Sequence, residues 1–234
     1  MIALDLRGRV VAVTGGFGSL GVAVGRTLSA AGASVALLDR VDAAKAPADL
    51  AQALALGDVD LGSSTTSSAA MARVIERFGR LDALVNVAGG FRWEKVDGGS
   101  VETWDALYQI NLRTALNATQ SALPHLLACG DGRIVNIGAG AATKAAAGMG
   151  AYAASKAGVA KLTEALADEL KDRGVTVNAV LPSIIDTVAN RADMPGADFS
   201  RWVKAEEIAD LIAFLLSPNA RAITGALIPI SGRV

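Results

Sequence analysis

Apolar positions along this chain gather into short dense runs, Val10 to Val13, Ser34 to Leu38, Ala83 to Val87, Arg133 to Ile137, Val175 to Leu181 and Leu227 to Ile230. Each is four to seven residues long and rich in β-branched or leucine side chains, as expected of a buried strand. Longer segments of helical character lie between them: Gly21 to Ala31, Ser67 to Phe78, Val101 to Leu127, Ala151 to Lys171 and Ala205 to Leu216. Strand and helix in alternation predict a parallel sheet, because parallel neighbours need long crossovers. Right-handed crossovers then cover both faces with helices, and the carboxyl ends of the strands become the ligand edge. The expected fold is therefore α/β and doubly wound, one domain over residues 1–234. Two stretches break the pattern. Gly62 to Ser68 reads as a loop into a helix with Thr66 or Ser67 as cap, and Asp186 to Trp202, with a proline, a glycine and two aromatics, reads as a lid.

Composition narrows the partners. With 52% hydrophobic and 19% charged residues, the 234-residue chain can fill one large core. Its formal net charge of −1 and the absence of a basic tract argue against nucleic acid or an anionic membrane. Asp5 and Arg7 interrupt the start where a secretory leader needs an unbroken apolar segment, and no run approaches a membrane span, which predicts a cytoplasmic address and small-molecule partners. Cys129 is the only cysteine and His125 the only histidine, which removes disulfides, cysteine zinc sites and a choice of histidine-based triads. No metal site is expected; Cys129 reads as a small buried apolar residue and His125 as a helix-end packing residue.

Directly after the first strand stands Thr14-Gly15-Gly16-Phe17-Gly18-Ser19-Leu20-Gly21, followed by a helical pattern. Glycines in this context permit a tight turn, close backbone approach to a pyrophosphate and tight helix packing, the signature of a Rossmann-type dinucleotide site. The second strand ends at Asp39, 39 − 21 = 18 residues beyond the last glycine, near the roughly 20-residue offset of an acid that binds ribose hydroxyls. A carboxylate there repels a 2′-phosphate, so NAD(H) is preferred; Arg40 follows at once and keeps NADP(H) open. Farther on, Tyr152 and Lys156 are spaced i and i+4, which puts both on one helix face. An ammonium beside a phenol favours the phenolate and makes an acid/base pair; the alternative is an exposed helix face carrying an aromatic and a snorkelling lysine.

Taken together these motifs resemble the short-chain dehydrogenase/reductase family over nearly the whole chain, from the glycine loop to Thr224-Gly225. The resemblance implies that Asp58-Val59 lies near adenine, and that Asn86-Val87-Ala88-Gly89 supplies cofactor contacts from Asn86, Ala88 and Gly89. It implies that Phe17, Gly18, Ser19 and Leu20 join Gly15 and Gly21 in the cofactor loop, and that Pro182, Ile185 and Thr187 hold the nicotinamide carboxamide. It makes Tyr152 the proton donor or acceptor and Lys156 the residue that binds the nicotinamide ribose and lowers the tyrosine's pKa, with Asn111 maintaining a water-linked proton path. It also implies a homodimer or homotetramer built through the long fourth and fifth helices.

The chain departs from the family pattern in three places. Its glycines follow Gly-x-x-Gly-x-x-Gly, Ser183 replaces a usual glycine, and the hydroxyl usual thirteen residues before the tyrosine is Ala139. A donor aimed at developing oxyanion charge contributes about 3 kcal/mol, so its loss argues against an ordinary ketone unless Thr143 or Ser183 substitutes. The quinonoid dihydropteridine reductase branch is similar locally, in the alanine at 139, in Gly148-Met149 and in Met194 to Trp202. Phe91, Trp93, Phe199 and Trp202 offer faces for a flat ring, or else pin loops to the core. Three readings remain beside the general oxidoreductase: dihydropteridine reductase-like activity, 3-oxoacyl thioester reduction, and a cofactor-binding regulatory protein that has lost catalysis.

Overall fold

The computed structural model describes residues 4–234; the reading of the chain's first three residues lies outside them. Seven strands, β1 (Val10–Thr14), β2 (Ser34–Leu38), β3 (Leu54–Leu56), β4 (Ala83–Asn86), β5 (Gly132–Ile137), β6 (Val175–Pro182) and β9 (Leu227–Ile230), form one sheet in the order 3-2-1-4-5-6-9. Every neighbouring pair is parallel, as alternation predicts. β3 was not among the six runs, since three residues are too short to show a period. Two short strands, β7 (Ile185–Asp186) and β8 (Val203–Lys204), pair apart from the main sheet.

Side chains of successive strand residues point to opposite faces, so β1 feeds two cores. Val11 and Val13 pack with Val24 and Leu28 of α1 (Ser19–Ala30) and Ile208 and Ile212 of α7 (Ala205–Leu216). Val10 and Ala12 pack on the other face with Met71 of α2 (Ser64–Phe78), Leu126 of α4 (Thr114–Ala128) and Leu166 of α5 (Gly150–Leu170). Leu28 and Leu126 are wholly buried, each stabilising the fold by roughly 1.5–3 kcal/mol. Ser63 caps α2 by accepting from the Thr66 amide at 3.3 Å, which corrects the expected cap and starts the helix inside the predicted loop. Cys129 is half-buried at the end of α4, its thiol on the Leu126 carbonyl, rather than a core residue.

The long segment from Val101 is one helix interrupted: α3 (Val101–Leu107) passes through π-helical Tyr108–Arg113 into α4. Asn111 sits inside that widened turn, a placement typical of functional positions. The strand order reverses between β1 and β4, and the crevice at their carboxyl ends is where an open α/β sheet binds its ligand. α6 (Val188–Asp193) lies within the lid segment.

Candidate functional site

A cleft of about 700 Å³ opens at this crevice. It is lined by Gly15, Gly18, Ser19, Leu20 and Gly21, by Asp39 and Arg40 after β2, by Val59 after β3, by Ala88 and Gly89 after β4, and by Thr187. The structure thus gathers most of the predicted cofactor residues around one space. Seven others do not line it, Tyr152 and Lys156 on α5 and five more. Phe17 packs into the core and only its amide reaches Asp39; Asp58 is exposed with φ of +56°, and Asp60 lines the cleft in its stead. Asn86 is buried in the sheet, and Pro182 and Ile185 lie outside the cleft lining, Ile185 being held in the β7 pair and against the core.

The glycine loop has the shape the sequence requires. Gly15 has φ of +63°, and a β-carbon on it would lie 2.9 Å from the Ala88 backbone; one on Gly21 would strike the Gly15 carbonyl at 2.1 Å. Thr14 ties the loop to the next strand, its hydroxyl accepting from the Val87 and Ala88 amides at 3.1 Å. Whereas Ser63, Ser100 and Thr187 cap α2, α3 and α6, the N-cap of α1 is Gly18, with no side-chain cap and no acid in the first turn. Free amides and the positive end of a twelve-residue helix therefore meet the cleft, which suits a pyrophosphate. Asp39 is fixed by two backbone amides, Phe17 to Oδ2 at 2.9 Å and Val41 to Oδ1 at 3.1 Å.

Behind Ala88 runs a buried polar ladder. Asn86 Nδ2 donates to Thr119 Oγ1 at 3.1 Å and to Asn136 Oδ1 at 2.8 Å, and Asn136 Nδ2 donates to Thr163 Oγ1 at 2.8 Å. Asn86 and Asn136 are register partners on β4 and β5. The ladder locks the strand ends that bear the site and occupies the Asn86 amide nitrogen.

Asn111, Lys156 and Gly89 converge. A β-carbon on Gly89 would come within 2.6 Å of Asn111 Oδ1 and 3.3 Å of Lys156 Nζ. Asn111 exchanges hydrogen bonds with the backbone of Gly90, accepting at 2.9 Å and donating at 3.0 Å, and donates to Ser155 Oγ at 2.9 Å. Ser155 in turn donates to the Tyr152 carbonyl at 2.7 Å, coupling the π turn to the helix that carries the tyrosine.

The expected lowering of the tyrosine is absent from this geometry. Burial pushes Tyr152 up to about 12 and Lys156 down to about 8, because each loses water around its charged form. The Lys156 ammonium donates to the Ile137 carbonyl at 2.8 Å, and among the described residues no hydrogen bond joins it to the Tyr152 hydroxyl.

Neither candidate substitute for the missing hydroxyl is free. Ala139 is buried, Thr143 donates to the Gly140 carbonyl at 2.8 Å and Ser183 to the Ser231 carbonyl at 2.8 Å. The aromatics divide into two roles. Phe91, 58% exposed, meets Tyr152 edge-on. Trp93 instead lies against Gly148, and Trp202 is buried beside Phe199, so these two pin loops. Ser155, Thr14 and Asp60 escaped the sequence reading: Ser155 sits beside Lys156 on the tyrosine's helix, Thr14 borders the first glycine, and Asp60 lies two residues past Asp58. Among the described residues no cluster of histidine, cysteine or acids has the makings of a metal site, and no helix is long and apolar enough to cross a membrane.

The family model described as short chain dehydrogenase matches residues 9–197. The chain is similar to the D-beta-hydroxybutyrate dehydrogenase of Rhizobium meliloti, at 30% identity with 96% of this chain and 97% of that one covered. It is similar to the acetoacetyl-CoA reductase of Allochromatium vinosum, at 33% identity with 96% and 97% covered. Its fold superposes on the crystal structure of a 3-ketoacyl-(acyl-carrier-protein) reductase from Brucella melitensis complexed with NADH, with TM-score 0.87, 27% identity and 98% and 99% covered.

Proposed function

As a member of the short-chain dehydrogenase family, to which its motifs and fold assign it, the chain is a nicotinamide-dependent oxidoreductase, and we propose that it uses NAD(H) with a quinonoid or otherwise cyclic acceptor. The residues present fit the dinucleotide: an uncapped helix end, glycines where a β-carbon would intrude, and a ribose-side acid held by two amides. Gly15 to Gly21 would hold the pyrophosphate, Asp39 the adenine-side ribose, Val59 and Asp60 the adenine, Lys156 the nicotinamide ribose and Thr187 the carboxamide. When bound, NADH supplies the hydride. Asp39 supports NAD(H) over NADP(H) by charge; the exposed Arg40 lies on the same rim.

Tyr152 delivers the proton to the acceptor heteroatom. Its hydroxyl is neutral at physiological pH, with burial holding it there. Lys156, near 8, is still mostly cationic at neutral pH and is held by the Ile137 carbonyl in position for the nicotinamide ribose. Asn111 and Ser155 keep both groups in register.

One observation carries the acceptor class: a buried alanine, Ala139, holds the position where the family resemblance puts a substrate-binding hydroxyl, while Thr143 and Ser183 are engaged elsewhere. Rearomatisation or ring conjugation lessens the need for that donor, and Phe91 provides an apolar wall beside the phenol. The names of the relatives favour a second reading, reduction of a 3-oxoacyl thioester. Initial rates of NADH oxidation over quinonoid dihydropterins, cyclic ketones and 3-oxoacyl thioesters separate the two: fastest turnover of a linear 3-oxoacyl thioester would overturn the cyclic acceptor. NADH binding without turnover of any acceptor would return the protein to the regulatory class.

The same proposal includes a homodimer or homotetramer. Trp104 and Tyr108, 40% and 48% exposed, lie one turn apart and give the end of α3 and the start of the π turn an apolar face for a second copy. Sedimentation at the 23.7 kDa monomer mass would refute it.

A further inference from the structure

We infer that Arg201, gripping the turn Ser231–Arg233, clamps the lid that carries Thr187 over the cleft, and is thus a positioning residue for ligand retention. What that lid closes over rests on the cofactor reading above; the clamp itself rests on geometry alone.

The excursion from Thr187 to Trp202 leaves and returns through one small parallel ribbon, Ile185 opposite Val203 and Asp186 opposite Lys204. Its interior is tied. Arg191 donates to both Asp186 oxygens, at 2.6 and 2.7 Å, and its guanidinium lies 4.8 Å over the Phe199 ring, which itself meets Trp202 at 4.8 Å. A pull on residues 199–202 is therefore transmitted to Asp186 and its neighbour Thr187 on the cleft wall.

The far side of the segment is held by the turn that follows β9. Nε and Nη2 of Arg201 both donate to the Arg233 carbonyl, the Arg233 amide donates back to the Arg201 carbonyl at 2.9 Å, and Arg233 Nη2 donates to the Ser200 carbonyl at 2.9 Å. Gly232 makes this approach possible, with φ of +58° and a would-be β-carbon 2.5 Å from the Arg201 carbonyl. The turn is anchored to the main sheet, since the Ser183 amide donates to the Ile230 carbonyl at 3.1 Å and the Ser183 hydroxyl to the Ser231 carbonyl. This is a further reason for a serine at 183, where the family has glycine.

Both arginines are exposed, so water competes for every bond in the grip. Such a contact opens without unfolding the sheet, which is what a lid needs. A lysine at 201 keeps the charge but loses the planar fork that places two donors on one oxygen.

The test is hydrogen exchange by mass spectrometry on the full chain, with and without NADH, for the wild type, Arg201→Ala, Arg201→Lys and Gly232→Val. Amides of residues 187–202 should exchange about tenfold faster in Arg201→Ala and Gly232→Val, with Arg201→Lys between, while β1, β4 and β5 keep wild-type protection. NADH dissociation, followed by stopped-flow fluorescence, should quicken several-fold in the same order at unchanged association rate. Wild-type exchange across residues 187–202 in both Arg201→Ala and Gly232→Val would overturn the clamp, and so would an equal acceleration throughout the sheet. A wild type that binds no NADH would overturn the cofactor reading instead, and exchange of the free protein would still decide the clamp.

Discussion

The ring of Phe91 stands edge-on to the phenol of Tyr152, centroids 4.9 Å apart and planes crossing at 85°. This contact helps shield the phenol from water, and burial is what raises its pKa. In Phe91→Ala the tyrosine should ionise nearer its ordinary value of 10 than the about 12 of the intact protein. The chain has two tyrosines, so an ultraviolet titration in a Tyr108→Phe background reads Tyr152 alone. An unmoved midpoint would show that Phe91 does not control its hydration.

Replacement of Tyr152, the proposed proton donor, separates chemistry from binding. Tyr152→Phe should lower kcat by about 10²- to 10⁴-fold, the range for a positioned acid, with NADH affinity within a few-fold of wild type. Full turnover in the variant would remove Tyr152 from the reaction.

On the proposed NAD(H) reading, Asp39 sets cofactor choice through charge. Loss of hydrogen bonds to a charged group is worth roughly 1.5–3 kcal/mol, so Asp39→Ala should reduce the NAD to NADP ratio of kcat/KM by about ten- to a hundredfold. An unchanged ratio would place discrimination elsewhere, Arg40 included.

Lys156 makes stability depend on pH in a specified direction. Its folded pKa, about 8, lies below the unfolded value near 10.5, so the unfolded chain binds more protons between them and the fold gains stability as pH rises through that window. The burial cost is fully present below pH 8. Relative to Lys156→Met, the wild type should gain about 2 kcal/mol between pH 7 and pH 9.5 in denaturant titrations. A constant difference would mean that the lysine is well hydrated in the folded protein.

The asparagine ladder yields a contrast in stability. Asn86→Ala leaves Asn136 Oδ1 without its donor in a buried place and should cost roughly 1–3 kcal/mol, by thermal or denaturant unfolding. Stability equal to wild type would show that the ladder is replaceable by packing.

The parts of the fold legible in the sequence were those with a local period or a strict backbone demand. The six apolar runs declared six strands, and the spacing of Gly15, Gly18 and Gly21 declared a loop that a β-carbon at Gly15 or Gly21 would block. β3 is too short to show a period, and α6 hides in a segment whose proline and single glycine read as a lid. The direction of the Tyr152 shift was misjudged because i and i+4 spacing gives proximity on a helix but says nothing of the burial that raises the phenol, or of the Ile137 carbonyl that holds the lysine. Asn86 shows a related limit: its neighbours in sequence line the cleft, while its own side chain is buried and meets residues 119 and 136. No motif marks the Arg201 grip, which exists only once β9 brings residue 233 beside 201.

The all-parallel sheet bears on time as well as shape. Val11 must find Ala83, 83 − 11 = 72 residues along the chain, before the crevice between β1 and β4 exists, and Tyr152 arrives only with the crossover after β5. Long-range pairings of this kind fold slowly, because loop closure precedes the contacts that repay it. During refolding from denaturant, far-ultraviolet helix signal should therefore recover ahead of NADH binding, and the enzyme would be assembled well after most of its helices are wound.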